Sequence, residues 1–431
     1  MIRPAERARL TREQISKQPI DLLDAFAAAG DIPRLYFSTP DGSFRTLALG
    51  AVAEFRAQGM GRFTEVRAQY DALIARPGIE ADSPVRAYGG FSFEPGDPRG
   101  RWSAFPAAYF FIPQIEIVQA GETTTWTVNQ LQKDGFNAES LIQRLTTIGK
   151  SMGSSRRSTR MLVEPDEWST MVANALKQVN GGKMSKVVLA RILEVEATDP
   201  IDAGTALRRL RNAYASTYGI GFSPQAGRAL ISASPEQLVR VADGELHSMA
   251  LAGTMPRGGT VDEDQDIASA FISNPKERKE HAIVREEIEA TLQPFCTSVT
   301  THEHPNLRRL PNVQHLHTLI RGKLKQNQHI LDIVAALHPT PALGGRPRQA
   351  ALDLIRELET QPRGWYGAPV GYFDQHGDGE FAVAIRSALI DGKYAWLYAG
   401  AGIVAGSDAE REWDETQAKL EPMLEAFQVS A

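Results

Sequence analysis

One cysteine, Cys296, stands among 431 residues, so neither an intramolecular disulfide nor a cysteine-ligated metal cluster can form. Disulfide-stapled secreted folds are excluded, and a reducing cytoplasm is the expected setting. Long apolar runs are missing too: no segment approaches the roughly 18 residues of a bilayer-spanning helix. The opening MIRPAERARLTREQ has basic residues with no apolar stretch behind them, so neither a secretory signal nor a membrane anchor is expected. A large excess of one charge is also absent. Lys and Arg number 47 against 52 Asp and Glu, for a net charge of −5, which leaves no electrostatic footprint for nucleic acid. An anionic ligand must then be met by local cations, and neither a nucleic-acid nor a membrane partner is expected.

What is present suits a folded globular chain. Hydrophobic residues make up 42% and charged residues 23%, enough for a sizeable core in two or three domains or one large two-layer unit. Residues 1–160 mix helical periods (20–30, 64–76) with strand-like runs (86–93, 107–118) and read as an α+β region. The Ser- and Arg-rich stretch SMGSSRRSTR (151–160) is the best linker candidate. Residues 161–431 continue with a helix (165–180), a strand (186–197), a helix (202–216) and two strands, ISASPEQLVRV and GELHSMALAGT. A long helical region (262–294), an extended stretch to Leu324 and helices near 329–338 and 348–359 follow. Three turn-linked strands, GAPVGYF, GEFAVAIRSALI and YAWLYAGAGIV, precede a last helix (409–428). This hairpin succession predicts antiparallel sheets in an α/β chain of α+β type.

Two helical segments carry glutamates three apart, Glu277 and Glu280 in KERKEH and Glu412 and Glu415 in EREWDET. Each pair shares a helical face. Most such pairs are solvated surface, but both lie beside apolar stripes, and four hard oxygen donors without Cys or clustered His suit Mg²⁺ rather than zinc. The glycines of YAGAGIVAGS (Gly400, Gly402, Gly406) only superficially suggest a dinucleotide loop. Their spacing is wrong, and Asp408, Glu410 and Glu412 would repel a pyrophosphate. Tight strand packing and close approach to a ligand carboxylate remain equal alternatives. Lys186 opens an apolar strand and Glu236 follows Ser-Pro in another. A snorkelling lysine and a turn glutamate are the plain reading, whereas a base and an acid tuned by burial are the sharper one. Arg386, amid Val, Ala, Ile and Leu, requires an anionic partner. His315 and His317 share a strand face, and at least one is expected to be structural.

The runs SKVVLAR, SASPEQLV, ALAGTMPRG, NPKERKEH, VQHLHTLIRG, HPTPALGG, RGWYGAPVGYF, FAVAIRSALI and AGAGIVAGSDAEREWDET resemble, in order over residues 161–428, the Mg²⁺-using chorismate-utilising enzymes. These include isochorismate synthases, salicylate synthases, anthranilate synthase component I and aminodeoxychorismate synthase. Ala342 after HPTP, and a lysine at 186, make the sequence most similar to the isochorismate synthases. RAYGGFSFEP and WSAFPAAYFFIP are similar to the menaquinone-type enzymes.

The resemblance implies two large, mainly antiparallel sheets facing one another with helices outside, residues 1–160 contributing strands to sheets shared with the catalytic region 161–431. It implies Glu280 and Glu415 as direct Mg²⁺ ligands and Glu277 and Glu412 as ligands through water. Lys186 is the implied base and Glu236 the implied acid. For chorismate it implies Arg386 against a carboxylate, His315 as a hydrogen-bonding partner, and Gly253, Thr254, Ala342, Leu343, Gly400 and Gly402 as pocket lining. The implied reaction adds water at ring C2 while the C4 hydroxyl leaves, feeding menaquinone or siderophore biosynthesis. It requires a neutral Lys186 and a protonated Glu236. A salicylate synthase, which goes on to release pyruvate, is the alternative enzyme, and a non-catalytic chorismate-binding protein the alternative outside catalysis. A cytoplasmic monomer or weak dimer is expected.

Overall fold

In the computed structural model, residues 10–15, 17–76, 84–131, 137–146 and 156–429 are described. Their strands pair antiparallel, as short turn-linked runs dictate, because parallel neighbours need long crossovers. Two sheets result among the described residues, one of twelve strands and one of ten. Toward one edge of the larger sheet, Arg34–Ser38, Tyr218–Gln225, Arg228–Ser234, Ser387–Asp391, Tyr394–Ile403, Lys186–Ala197 and Gly345–Arg346 are successive neighbours. The smaller one runs through Val313–Leu324, Glu245–Pro256, Gln237–Ala242, Gly379–Val383, Pro369–Phe373 and Ala87–Phe91. Both draw strands from either side of residue 160.

The inner faces meet in a largely aromatic layer. Phe37, Tyr218, Phe222 and Leu389 of the larger sheet are buried against Tyr88, Tyr109, Val370 and Ala382 of the smaller, and each such ring removes enough apolar area from water to contribute roughly 1.5–3 kcal/mol. Helices Leu22–Ala28, Ala203–Ala213 and Ala409–Phe427 cover the outer face of the larger sheet. Arg62–Ile74, Pro275–Leu292 and Ile330–Leu337 cover that of the smaller.

Three runs that sequence patterning reads as single strands are each two strands in different sheets. The run at 107–118 divides at Pro113 into Ala108–Ile112 and Ile115–Ala120. ISASPEQLVRV divides at Pro235–Glu236, and GEFAVAIRSALI divides at Ala384–Arg386. Proline cannot donate to a ladder, so it is where a strand leaves its partners; at Arg386 the break is a left-handed backbone, φ 47°, uncommon for a side chain this large. Patterning also makes 262–294 one helical region. The structure breaks it at Asn274, whose side chain accepts from the Lys276 and Glu277 amides at the start of Pro275–Leu292, with proline in the first-turn position it tolerates. Of the proposed linker, 151–155 lie outside the described residues. The remainder leads into the strand Arg157–Met161, paired with Lys186–Ala197.

Candidate active site

One cavity opens between the sheets where the crossings at Glu236 and Arg386 run side by side. Val383 N–H donates to Glu236 O (3.1 Å) and Ala233 N–H to Arg386 O (3.0 Å), so each crossing fixes the other. Lys186, Glu236, Arg386, His315, Glu280 and Glu415 line it, together with Gly253, Thr254, Ala342, Leu343, Gly400 and Gly402. Glu277 and Glu412 are not on the lining. They sit one turn earlier on the two helices that carry Glu280 and Glu415.

Lys186 arrives by strand alternation. Lys186 and Val188 face the cavity, whereas Val187 and Leu189 pack in the outer core, the two-residue period of a strand. The lysine does not snorkel: it is 1% exposed, and its Nζ donates to Glu280 Oε1 at 2.8 Å. Glu236 is also buried, and no described residue hydrogen-bonds its carboxyl. Burial pushes this carboxyl up to about 7, against the pull of Lys186, Lys419 and Arg386. Near neutral pH much of it is protonated, able to donate.

Arg386 and His315 form the opposite anchor. Arg386 Nη2 donates to His315 Nε2 at 3.1 Å, so the other ring nitrogen, Nδ1, carries the hydrogen and donates to Gly253 O at 3.0 Å, near Thr254 Oγ1 at 3.2 Å. Burial, then the Arg386 charge, holds the imidazole well below its ordinary range, hence neutral. Arg386 Nη1 is buried with no partner, a charge-bearing donor that a carboxylate would satisfy. His317 does not line the cavity. It is the structural member of the pair, and burial lowers it to about 4.

Glycines make room where the walls close. A Cβ on Gly402 would lie 2.5 Å from Glu280 Oε1 and 2.9 Å from Lys186 Cε, and one on Gly253 (φ 73°) 2.8 Å from Glu277 Oε2. Close approach is therefore the reason for these residues, not a phosphate loop.

Glu277 and Glu412 respond to the neighbouring glutamates. Burial, then Glu280, pushes Glu277 up to about 7 despite Lys276, and burial, then Glu415, raises Glu412. Burial would raise Glu280 as well, but the charge and hydrogen bond of Lys186 outweigh it and the carboxyl is lowered. Lys276 lies 3.2 Å from Glu412 and Lys419 2.5 Å from Glu415. Among the described residues no three acidic or imidazole groups converge as a finished ligand set; lysines stand against three of the four carboxylates instead. The donor chemistry, all hard oxygen with like charges pressed together, fits a small divalent cation.

Sequence reasoning missed Lys419, Tyr366 and Arg363. Lys419 Nζ donates to Gly400 O at 2.8 Å, and its spacing of four from Glu415 could have exposed it. Tyr366 lines the cavity, stacked on Tyr398 at 5.1 Å, with its hydroxyl pushed up to about 12 by burial. Arg363, outside the lining, holds the wall: it donates to Leu343 O (2.8 Å) and Val188 O (2.7 Å) and pairs with Glu359, which accepts from Ala190 N–H at 2.8 Å. No pattern in RGWYGAPVGYF marks that role.

Comparison with known proteins agrees over nearly the whole chain. The signature of the family described as chorismate binding enzyme matches residues 3–428. The salicylate biosynthesis isochorismate synthase of Pseudomonas aeruginosa is 36% identical over 426 residues, 95% of this chain and 88% of that protein. The isochorismate synthase MenF of Bacillus subtilis is 33% identical, over 97% and 92%. Among solved structures, MenF, the menaquinone-specific isochorismate synthase from Escherichia coli, superposes with a TM-score of 0.85 at 26% identity, covering 98% of this chain and 95% of that one.

Proposed function

From the premise that this chain belongs to the chorismate-binding enzyme family, we propose that it is an isochorismate synthase that uses Lys186 as base and Glu236 as acid. The protein is an enzyme of the isomerase type: water adds at C2 of chorismate, the C4 hydroxyl leaves as water, and the ring double bonds shift between them. The observation that carries the assignment of roles is that a buried lysine and a buried glutamic acid, its carboxyl pushed up by burial, face one cavity beside an arginine with an unfilled donor.

The base role belongs to Lys186 as the free amine, so the ammonium that donates to Glu280 has to pass its proton on before it takes one from the attacking water, while Glu236 gives its proton to the departing hydroxyl. Arg386 holds a substrate carboxylate through Nη1, and the neutral imidazole of His315 keeps the guanidinium aimed. Glu280 and Glu415 would hold Mg²⁺ directly, with Glu277 and Glu412 reaching it through water. When bound, the ion would supply positive charge for the ring carboxylate. The product feeds menaquinone or siderophore biosynthesis. No helix of the described residues is long and apolar enough to cross a membrane, and we read the enzyme as a cytoplasmic monomer or weak dimer.

Product analysis after incubation with chorismate and Mg²⁺ tests the reading, with isochorismate expected. Salicylate and pyruvate as main products would mean a salicylate synthase, and no turnover a binding protein. EDTA should abolish activity and added Mg²⁺ restore it; full activity in metal-free enzyme removes the cation from the account.

A further inference from the structure

A second recess adjoins the catalytic cavity. It encloses about 660 Å³, and Glu280 belongs to the lining of both. Its floor is apolar, with Met184, Ile283 and Val404 among its residues, while Lys183, Lys276, Lys279 and Arg346 stand around it. Two of these cations are already engaged: Lys276 lies 3.2 Å from Glu412, and Arg346 Nε 3.4 Å from Glu287. Lys183, just beyond the left-handed Gly182 turn, and Lys279 are exposed, and their ammonium groups have no carboxylate or carbonyl partner among the described residues.

We propose that this groove is the antechamber through which the dicarboxylate substrate reaches the cavity, with Lys183 and Lys279 drawing it in. The inference rests on the chorismate reading above. A protein of net charge −5 repels a dianion at long range, so productive encounters need uncompensated positive charge at the way in. Exposed lysines on a low-dielectric recess supply it, because such a recess focuses the field and raises the local concentration of a counter-charged substrate. Glu280 forms the threshold: the dianion leaves the groove where the Lys186–Glu280 pair begins the catalytic wall.

The test is kcat/KM for chorismate across ionic strength, at saturating Mg²⁺, in Lys183→Glu/Lys279→Glu and in a control of equal net charge, Arg76→Glu/Arg99→Glu, whose residues lie on neither lining. The groove variant should lose about 10-fold in kcat/KM at low salt, with kcat unchanged, and should approach the unmodified enzyme at high salt as the charges are screened. The control, which carries the same added negative charge, should show only the much smaller loss that net charge alone causes. A groove variant indistinguishable from the control overturns the proposal. So does a fall in kcat, or a loss that salt does not relieve, since either would make the lysines props for the glutamate cluster. If the unmodified enzyme makes no isochorismate, the chorismate reading itself fails; if it does and the variants are indifferent, only the antechamber fails.

Discussion

The two walls of the cavity balance charge in opposite ways. On the glutamate wall Glu280 and Glu415, and one turn behind it Glu412, each face a lysine. On the crossing wall, Glu236 has no hydrogen-bonding partner for its carboxyl among the described residues, and Arg386 leaves Nη1 unpaired. Paired charges hold their own positions, and removing one partner strands the other. Uncompensated groups are held by backbone, here by two chain crossings bonded to each other, and the free energy of burying them appears as altered proton affinity and unmet hydrogen-bonding capacity. The proposed proton donor sits on the wall where its carboxyl has no paired lysine.

Substituting the two proposed proton-transfer residues should separate the walls most clearly. Glu236→Gln and Lys186→Ala are each expected to lower kcat by about 10² or more. Their stabilities should diverge. Lys186→Ala leaves Glu280 unpaired in a buried site, which costs on the order of 3–5 kcal/mol, whereas Glu236→Gln removes a buried acid that has no partner to strand. Urea unfolding of both metal-free variants measures this; equal losses would erase the distinction between the walls.

A smaller effect is expected behind the base. Arg363→Lys keeps a cation beside Glu359 but cannot reach both Leu343 O and Val188 O, the two carbonyls that Arg363 joins. Displacement of the strand that carries Lys186 should lower kcat/KM by about 10-fold, because small misplacements of reacting groups are costly. Circular dichroism should remain that of the folded enzyme. Unchanged kinetics would mean that the ladder between Lys186–Ala197 and Tyr394–Ile403 positions the lysine unaided.

How much could be read in advance follows the same division. Lys186–Ala197 was legible as a strand, because its apolar run KVVLARILEVEA is rich in Val and Ile and alternates with Glu194 and Glu196 at its end. The glutamate pairs were legible as helical faces, although the resemblance, and not the spacing, gave them their roles. The crossing at Arg386 was not legible. An apolar run changes sheets without changing composition, so GEFAVAIRSALI gives no sign that Arg386 is at a left-handed break rather than inside a ladder. Arg363 was invisible for a related reason: its partners are backbone carbonyls 20 and 175 residues away in the chain, and a carbonyl has no side-chain signature.

The remaining effect is the most direct test of how Glu236 is tuned. Its carboxyl moves from an ordinary 4.5 to about 7 on folding. Between these values the unfolded chain has released a proton that the folded protein keeps, so the folded state binds more protons and stability falls as pH rises through this window. Below about pH 4.5 both states are protonated and the group contributes nothing; above about 7 the loss levels off near ~3 kcal/mol, from roughly 1.4 kcal/mol per pH unit. Glu236→Gln does not titrate. In thermal unfolding with EDTA, the variant and the unmodified protein should therefore agree at the acid end, and the variant should become the more stable as pH is raised to 8. Parallel curves would mean that Glu236 titrates alike in the folded and unfolded states and is ionised at neutral pH, and the proton for the departing hydroxyl would have to come from another group on the cavity wall.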